Sequence, residues 1–245
     1  WIMGSYYLRN WHMRWFQDHI EDGVTVRDIS DTTIGFGLAG PKSRDVLANL
    51  THQDVSHDSL GFMACQEVDV GLIRSKVVRL SVCGELGYEI NCSALEHTAL
   101  REMLLEAGCD QGIREFGFYA MNALRLEKSF GIWSAEFTQD RTPAMTGMDR
   151  WIDWTKNDFI GRDAALEARE TDSALQRLVT LEIAADNADA SGYEPVWLND
   201  KRVGFTTSGG YGHHTGKSLA MALIDKDISD DTELSVHVVG KLRNA

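Results

Sequence analysis

The chain has 245 residues, enough for one large domain or two modest ones packed together. Lysine and arginine number 24 against 37 aspartates and glutamates, so the formal net charge is −13, which opposes a general role in binding nucleic acid or anionic membranes. No uninterrupted apolar run reaches the roughly 20 residues that a membrane helix requires, which argues against a membrane-spanning chain.

The first part of the chain shows alternating helical and strand patterns. Helices are predicted over 12–20, 42–50, 94–107 and 119–129, strands over 24–29 and 34–38, and a β-hairpin over 76–92. Gly108 follows the third of these helices directly, so it is predicted to end that helix as a left-handed cap.

The pattern changes after Gly161. A short polar helix is predicted over 162–170, followed by strands over 175–183, 195–198, 202–207, 218–224 and 233–239. Several short strands at close spacing indicate a small barrel. The predicted fold class is therefore α+β, with a mixed α/β body at residues 1–172 and a C-terminal small β-barrel at residues 173–245. The chain opens on Trp1 without an initiator methionine and ends abruptly after residues 235–240, so each domain is expected to be truncated at that end.

The four cysteines do not have the spacing of a zinc site. They are Cys65, Cys83, Cys92 and Cys109, and none forms a CxxC pair. Free thiols in a reducing compartment are expected. No metal site is predicted, because His213 and His214 are adjacent and would face opposite sides of a strand.

Two carboxylates, Glu85 and Glu89, flank a glycine turn within the predicted hairpin. An exposed hairpin carboxylate is ordinarily just solvated. A carboxylate at the rim of a pocket, in contrast, accepts two parallel N–H bonds, which suits a ligand with an amidine-like edge such as a pterin or guanine. On the predicted helix at 119–129, Arg125 is either a surface charge or a group that holds a carboxylate, and its spacing from Glu127 leaves both readings open.

Residues 209–216 superficially resemble a nucleotide-binding glycine loop. No βαβ unit surrounds them and 218–224 is predicted as a strand, so a loop between barrel strands is favoured. The chain has no GxSxG motif, and Cys83 has no base partner that the sequence reveals. Catalytic residues are therefore left unassigned.

Several motifs follow one another in an order that covers nearly the whole chain. They occupy residues 36–47, 84–89, 119–128, 158–162, 203–209 and 217–220. This series resembles the folate-binding aminomethyltransferase family, typified by the T-protein of the glycine cleavage system. The stretch 122–128 makes the chain similar above all to the C-terminal half of dimethylglycine and sarcosine dehydrogenases.

The resemblance implies a set of cofactor-binding residues. Glu89 matches the family carboxylate that grips the pterin ring of tetrahydrofolate, and Tyr88, Tyr119 and Arg125 match positions of the same pocket. In the family, folate N5 takes a one-carbon unit released from a small methylated amine. The implied partner is an upstream flavin domain or subunit, the only place where FAD would bind, and the implied location is the cytoplasm, or the mitochondrial matrix in a eukaryote.

The chain also departs from the family pattern. The family's catalytic aspartate and the flavin domain would precede residue 1, Val82 stands where relatives often have tyrosine, and the final barrel strand would lie beyond Ala245. A fragment of a longer enzyme or a degenerate member is therefore expected. The alternatives to one-carbon transfer are a non-catalytic folate-binding or regulatory module, a folate-dependent demethylase of another methyl donor, and a scaffold that no longer binds folate.

Overall fold

The computed structural model describes residues 1–171 and 175–245, which form two compact units, 1–117 and 118–245. The predicted domain boundary at 172/173 lies outside the described residues and stays a prediction. Each unit has its own sheet and its own hydrophobic core. The strand pairs of both sheets are antiparallel, so the α+β class predicted from the sequence is confirmed.

The first unit contains an antiparallel sheet with strand order β1-β4-β3-β2. Its helices are α1 (Arg9–His19), α2 (Ser43–Ala48) and α3 (His97–Ala107), and its strands are β1 (Thr33–Ala39), β2 (Cys65–Val70), β3 (Ile73–Val78) and β4 (Gly87–Ser93). On the inner strand β4, Tyr88, Ile90 and Cys92 enter the core, where they pack with residues of α2 and α3. Because successive side chains alternate, Glu89 and Asn91 lie on the opposite face.

Three local predictions for this unit need correction. The strand predicted at 24–29 does not form, because this exposed segment pairs with no other strand. β3 and β4 do pair, with Val78 opposite Glu89, but residues 79–86 join them instead of a tight turn. Gly108 does end α3, yet its φ of −92° is not left-handed. Glycine is needed there because a Cβ would lie 2.7 Å from Cβ of Ile113.

The second unit contains a curled sheet with strand order β10-β9-β6-β7-β8-β5. Its helices are α4 (Phe118–Leu126), α5 (Pro143–Thr146) and α6 (Arg162–Glu170), and its strands are β5 (Gln176–Ile183), β6 (Pro195–Leu198), β7 (Lys201–Gly212), β8 (Lys217–Asp225), β9 (Ser235–Val238) and β10 (Lys241–Asn244). The N–H of Ala184, just after β5, donates to the carbonyl of Asn244 on β10 at 2.8 Å. The two outermost strands therefore meet, and the sheet closes into the predicted small barrel.

The last predicted strand, 233–239, is in fact the first half of a hairpin. β9 ends at Val238 and pairs directly with Lys241 of β10. The two turn residues, Val239 and Gly240, have φ of 45° and 75°. Positive φ at both central positions is the conformation of a two-residue type I′ turn, for which valine is a poor residue.

Candidate functional site

Glu89 lies in the middle of β4 on the sheet face opposite α2 and α3. It pairs with Gly37 on β1 and with Val78 on β3. Its side chain is half-buried, and among the described residues no hydrogen-bond donor or cation contacts its carboxylate. Burial raises the pKa of the Glu89 carboxyl above its ordinary value. A partly buried carboxylate of this kind is suited to receive donors from a ligand.

The strand beside Glu89 carries two glycines, and each has a different consequence. A Cβ placed on Gly37 would have no heavy atom within 4 Å, so the space next to Glu89 is open. A Cβ on Gly35 would lie 2.6 Å from Oδ1 of Asn91 and 2.7 Å from the carbonyl oxygen of Ile90. Gly37 therefore leaves open space beside Glu89, whereas the side chain of Asn91 occupies the space over Gly35.

Asn91 borders two cavities of the first unit. The larger, about 550 Å³, is lined by residues 1–6, by α1 side chains such as His12, and by residues 25–30. The smaller, about 160 Å³, is lined by β2 and β3 residues that include Glu67 and Lys76. A volume of 550 Å³ lies within the range of roughly 300–1,000 Å³ that small-molecule sites occupy.

Tyr88 points away from Glu89. Its side chain is fully buried in the core, and its hydroxyl accepts a hydrogen bond from Nε of Arg44 at 2.9 Å. The strand alternation thus splits this neighbouring pair of predicted site residues between the two faces of the sheet.

Tyr119 and Arg125 belong to the second unit, at opposite ends of α4. Tyr119 in the first turn is 89% exposed, whereas Arg125 in the last turn is 1% exposed. The guanidinium of Arg125 donates to Oδ1 of Asn122 at 2.7 and 3.0 Å and to the carbonyl of Phe130 at 3.0 Å. Burial lowers the pKa of Arg125, and the nearby carboxylate of Glu136 offsets part of that effect. The structure therefore does not bring Tyr119 and Arg125 together on α4.

Glu136, which sequence reasoning missed, is the counterion of Arg125. The two form an ion pair of 3.1 Å with exposures of 1% and 0%. Oε2 of Glu136 also accepts the N–H of Ile132 at 2.9 Å, and Oε1 accepts the hydroxyls of Thr207 at 2.6 Å and Ser208 at 2.5 Å. This buried pair joins the end of α4 to β7. The available sequence signal was the hydroxyl pair in the 203–209 motif, since nothing near Glu136 marks it.

The glycine-rich residues 209–216 are the end of β7 and the turn into β8, as predicted for a barrel loop. Oε1 of Glu127 accepts the backbone N–H groups of His214 at 2.7 Å and Thr215 at 2.9 Å. Desolvation alone would raise the pKa of Glu127, but these N–H donors outweigh it and lower that pKa. The amides of this loop therefore bind a carboxylate of the same unit.

The described residues include neither a metal-binding cluster nor a membrane-spanning helix. They contain no group of three or more His, Cys, Asp or Glu residues that could hold a metal ion. None of the helices in this part of the chain is long and apolar enough to cross a membrane.

Comparison with known proteins gives consistent matches. The GCVT N-terminal domain family matches residues 1–156, and the glycine cleavage T-protein C-terminal barrel domain matches residues 176–245. The mitochondrial dimethylglycine dehydrogenase of Homo sapiens is 37% identical over 234 residues, which is 94% of this chain and 27% of the relative. The aminomethyltransferase of Bacillus subtilis (strain 168) is 31% identical over 235 residues, 95% of this chain and 64% of the relative.

A solved structure agrees with these matches. The crystal structure of glycine cleavage system aminomethyltransferase T from Bartonella henselae has a TM-score of 0.75 and 25% identity, covering 86% of this chain and 57% of that one. The chain thus spans about a quarter of the length of the dehydrogenase and under two thirds of each aminomethyltransferase. Since the N-terminal and barrel domain families match in order along most of its length, the chain belongs to the glycine cleavage T-protein family.

Proposed function

We propose that this chain is a tetrahydrofolate-binding one-carbon transfer module in which Glu89 holds the pterin ring. The observation that carries the proposal is the half-buried Glu89 carboxylate, which lies beside open space at Gly37 and has no donor among the described residues. The amidine-like edge of a pterin supplies two parallel N–H donors, which match the two oxygens of one carboxylate. The residues present therefore fit the cofactor that the family implies.

The chain's own contribution is binding and orientation. When bound, tetrahydrofolate supplies N5 as the acceptor of a one-carbon unit. Glu89 fixes the pterin ring in one orientation, which favours transfer of a reactive unit. No residue of the chain is assigned as the catalytic acid.

The other three predicted residues have different local roles. Tyr88 supports the proposed site through β4, because its bond with Arg44 anchors the core side of the strand that carries Glu89. Tyr119 is exposed at the start of α4 in the second unit. Arg125 fixes the end of α4 to β7 within that unit, through its pairing with Glu136.

The donor of the one-carbon unit is proposed to be a small methylated amine, oxidised by an upstream flavin domain or subunit. This proposal is supported by the 37% identity to a dimethylglycine dehydrogenase, of which the chain spans 27%. The four cysteines are free thiols, which suits a reducing compartment such as the cytoplasm or the mitochondrial matrix.

Binding and transfer can be tested separately. Calorimetry with tetrahydrofolate should give measurable affinity for the wild type, and Glu89→Ala should weaken it by about 2–4 kcal/mol, because a charged partner of two N–H groups is lost. Capture of formaldehyde as methylene-tetrahydrofolate should be faster than in a control without protein. Folate binding without faster capture of formaldehyde would favour a non-catalytic folate-binding module. Absence of binding at millimolar folate would favour a scaffold that no longer binds folate.

A further inference from the structure

The side-chain amide of Asn91 lacks a hydrogen-bond acceptor within the described part of the fold. Its Nδ2 atom is buried and has no hydrogen-bond partner among the residues that the structure describes. A buried amide N–H group without an acceptor is unfavourable, and native structures contain few of them. The same residue lines both cavities of the first unit. The unused donor therefore lies where a bound molecule can supply an acceptor.

Asn91, which lines the two cavities, and Glu89, which lines neither of them, lie near each other on one face of β4. They are two residues apart on β4, so both side chains leave the same face of the strand, at positions roughly 6.7 Å apart given a rise of 3.3–3.4 Å per residue. Their partners across β1 are Gly35 and Gly37, which carry no side chains. On the other neighbouring strand, Lys76 faces Asn91, and its ammonium lies 3.6 Å from a Glu67 oxygen.

The edge of a pterin presents three groups in a row: an amino group, a ring N–H and a carbonyl oxygen. The carboxylate of Glu89 matches the first two, and the third requires a donor. We infer that Nδ2 of Asn91 donates to the pterin carbonyl, so that Asn91 makes the site selective for a 4-oxo pteridine over a 4-amino one. This inference rests on the proposed function, because it concerns the same ligand edge.

The inference is tested by calorimetric titration of the full chain with tetrahydrofolate and with its 4-amino counterpart, in which an amino group replaces the carbonyl. The wild type should bind the 4-oxo compound at least tenfold more tightly, because the 4-amino compound lacks the ring N–H that Glu89 accepts and its 4-amino group would meet the Asn91 donor. Asn91→Asp exchanges the donor for an acceptor and should therefore reduce the preference. Asn157→Asp introduces the same charge at an exposed position and should leave the preference unchanged.

Equal affinity of the wild type for the two compounds would overturn the inference and the ring N–H contact assigned to Glu89, while leaving folate binding itself supported. A 4-oxo preference that Asn91→Asp retains, with unfolding curves showing the variant folded, would also overturn it. A preference that falls in Asn91→Asp but not in Asn157→Asp supports the inference. Failure of the wild type to bind either compound would overturn the folate proposal and the inference together.

Discussion

Glu89 and Gly37 face each other across the β1–β4 ladder, and the missing side chain of Gly37 leaves the carboxylate of Glu89 open on that side. The pairing explains how a residue on an inner strand remains accessible to a ligand. The shape of the site therefore depends on Gly37, which has no side chain with which to bind a ligand.

A side chain at position 37 should weaken folate binding while changing the stability of the fold very little. Gly37→Val adds a β-branched residue to a strand, where such residues are favoured, so unfolding should change by less than about 1 kcal/mol. Folate affinity should fall at least tenfold, as measured by calorimetry, because the new side chain occupies the space beside Glu89. Unchanged affinity would place the ligand elsewhere. By contrast, Gly35→Ala should destabilise the fold, since its Cβ meets a backbone carbonyl at 2.7 Å.

The raised pKa of Glu89 predicts a pH-dependent stability difference. Because burial disfavours the charged form, the native state binds the Glu89 proton more tightly than the unfolded chain does. The stability that this proton provides is fully present below the unfolded pKa, about 4.3, and is lost as the pH rises through the folded pKa. Glu89→Gln should therefore be more stable than the wild type at neutral pH, by a fraction of a kcal/mol because solvent still reaches the carboxylate. Urea unfolding from pH 4 to 8 measures the difference, and a wild type that is the more stable protein at pH 8 contradicts the assignment.

The buried pair of Arg125 and Glu136 should be strongly coupled. Glu136→Gln leaves the guanidinium without its counterion in a site with 1% exposure, which should cost about 3–5 kcal/mol of unfolding free energy. Arg125→Met should cost a similar amount, because it leaves the buried carboxylate of Glu136 without its cation. The double variant should lose much less than the sum of the two, as measured by urea unfolding. Additive losses would mean that the two charges do not depend on each other.

The turn between β9 and β10 offers a stabilising substitution. Val239 has φ of 45° and is exposed, so its side chain gains little from packing while its backbone is strained. Val239→Asn should raise the unfolding free energy by roughly 1 kcal/mol, because asparagine followed by glycine is favoured in type I′ turns. Val239→Ile retains the strain and serves as the control in thermal unfolding. Equal melting temperatures for the Asn and Ile variants would contradict the turn assignment.

The sequence predicted those features that depend on local pattern. The hairpin predicted over 76–92 placed Glu89 on a strand, and the barrel strand at 195–198 was predicted with its observed bounds. Alternation alone failed at 24–29, where no neighbouring strand is available to pair. The hairpin turn at Val239 was missed because valine is not a residue that signals positive φ.

The candidate site was likewise predicted only in part. Glu89 was predicted from its motif, but its open side depends on Gly37, more than fifty positions earlier in the chain. The partner of Arg125 is Glu136, and two further contacts of Glu136 come from β7 about seventy residues later. Contacts between distant segments form only when the chain folds, so spacing along the sequence did not reveal them.

The most direct test of the account compares Glu89→Gln with Glu85→Gln in calorimetric titrations with tetrahydrofolate at neutral pH. The two substitutions remove the same charge four residues apart, but Glu85 is exposed in the connection before β4 whereas Glu89 is half-buried beside Gly37. The account predicts that Glu85→Gln binds like the wild type and that Glu89→Gln loses at least tenfold in affinity. Equal affinity of the two variants would contradict it.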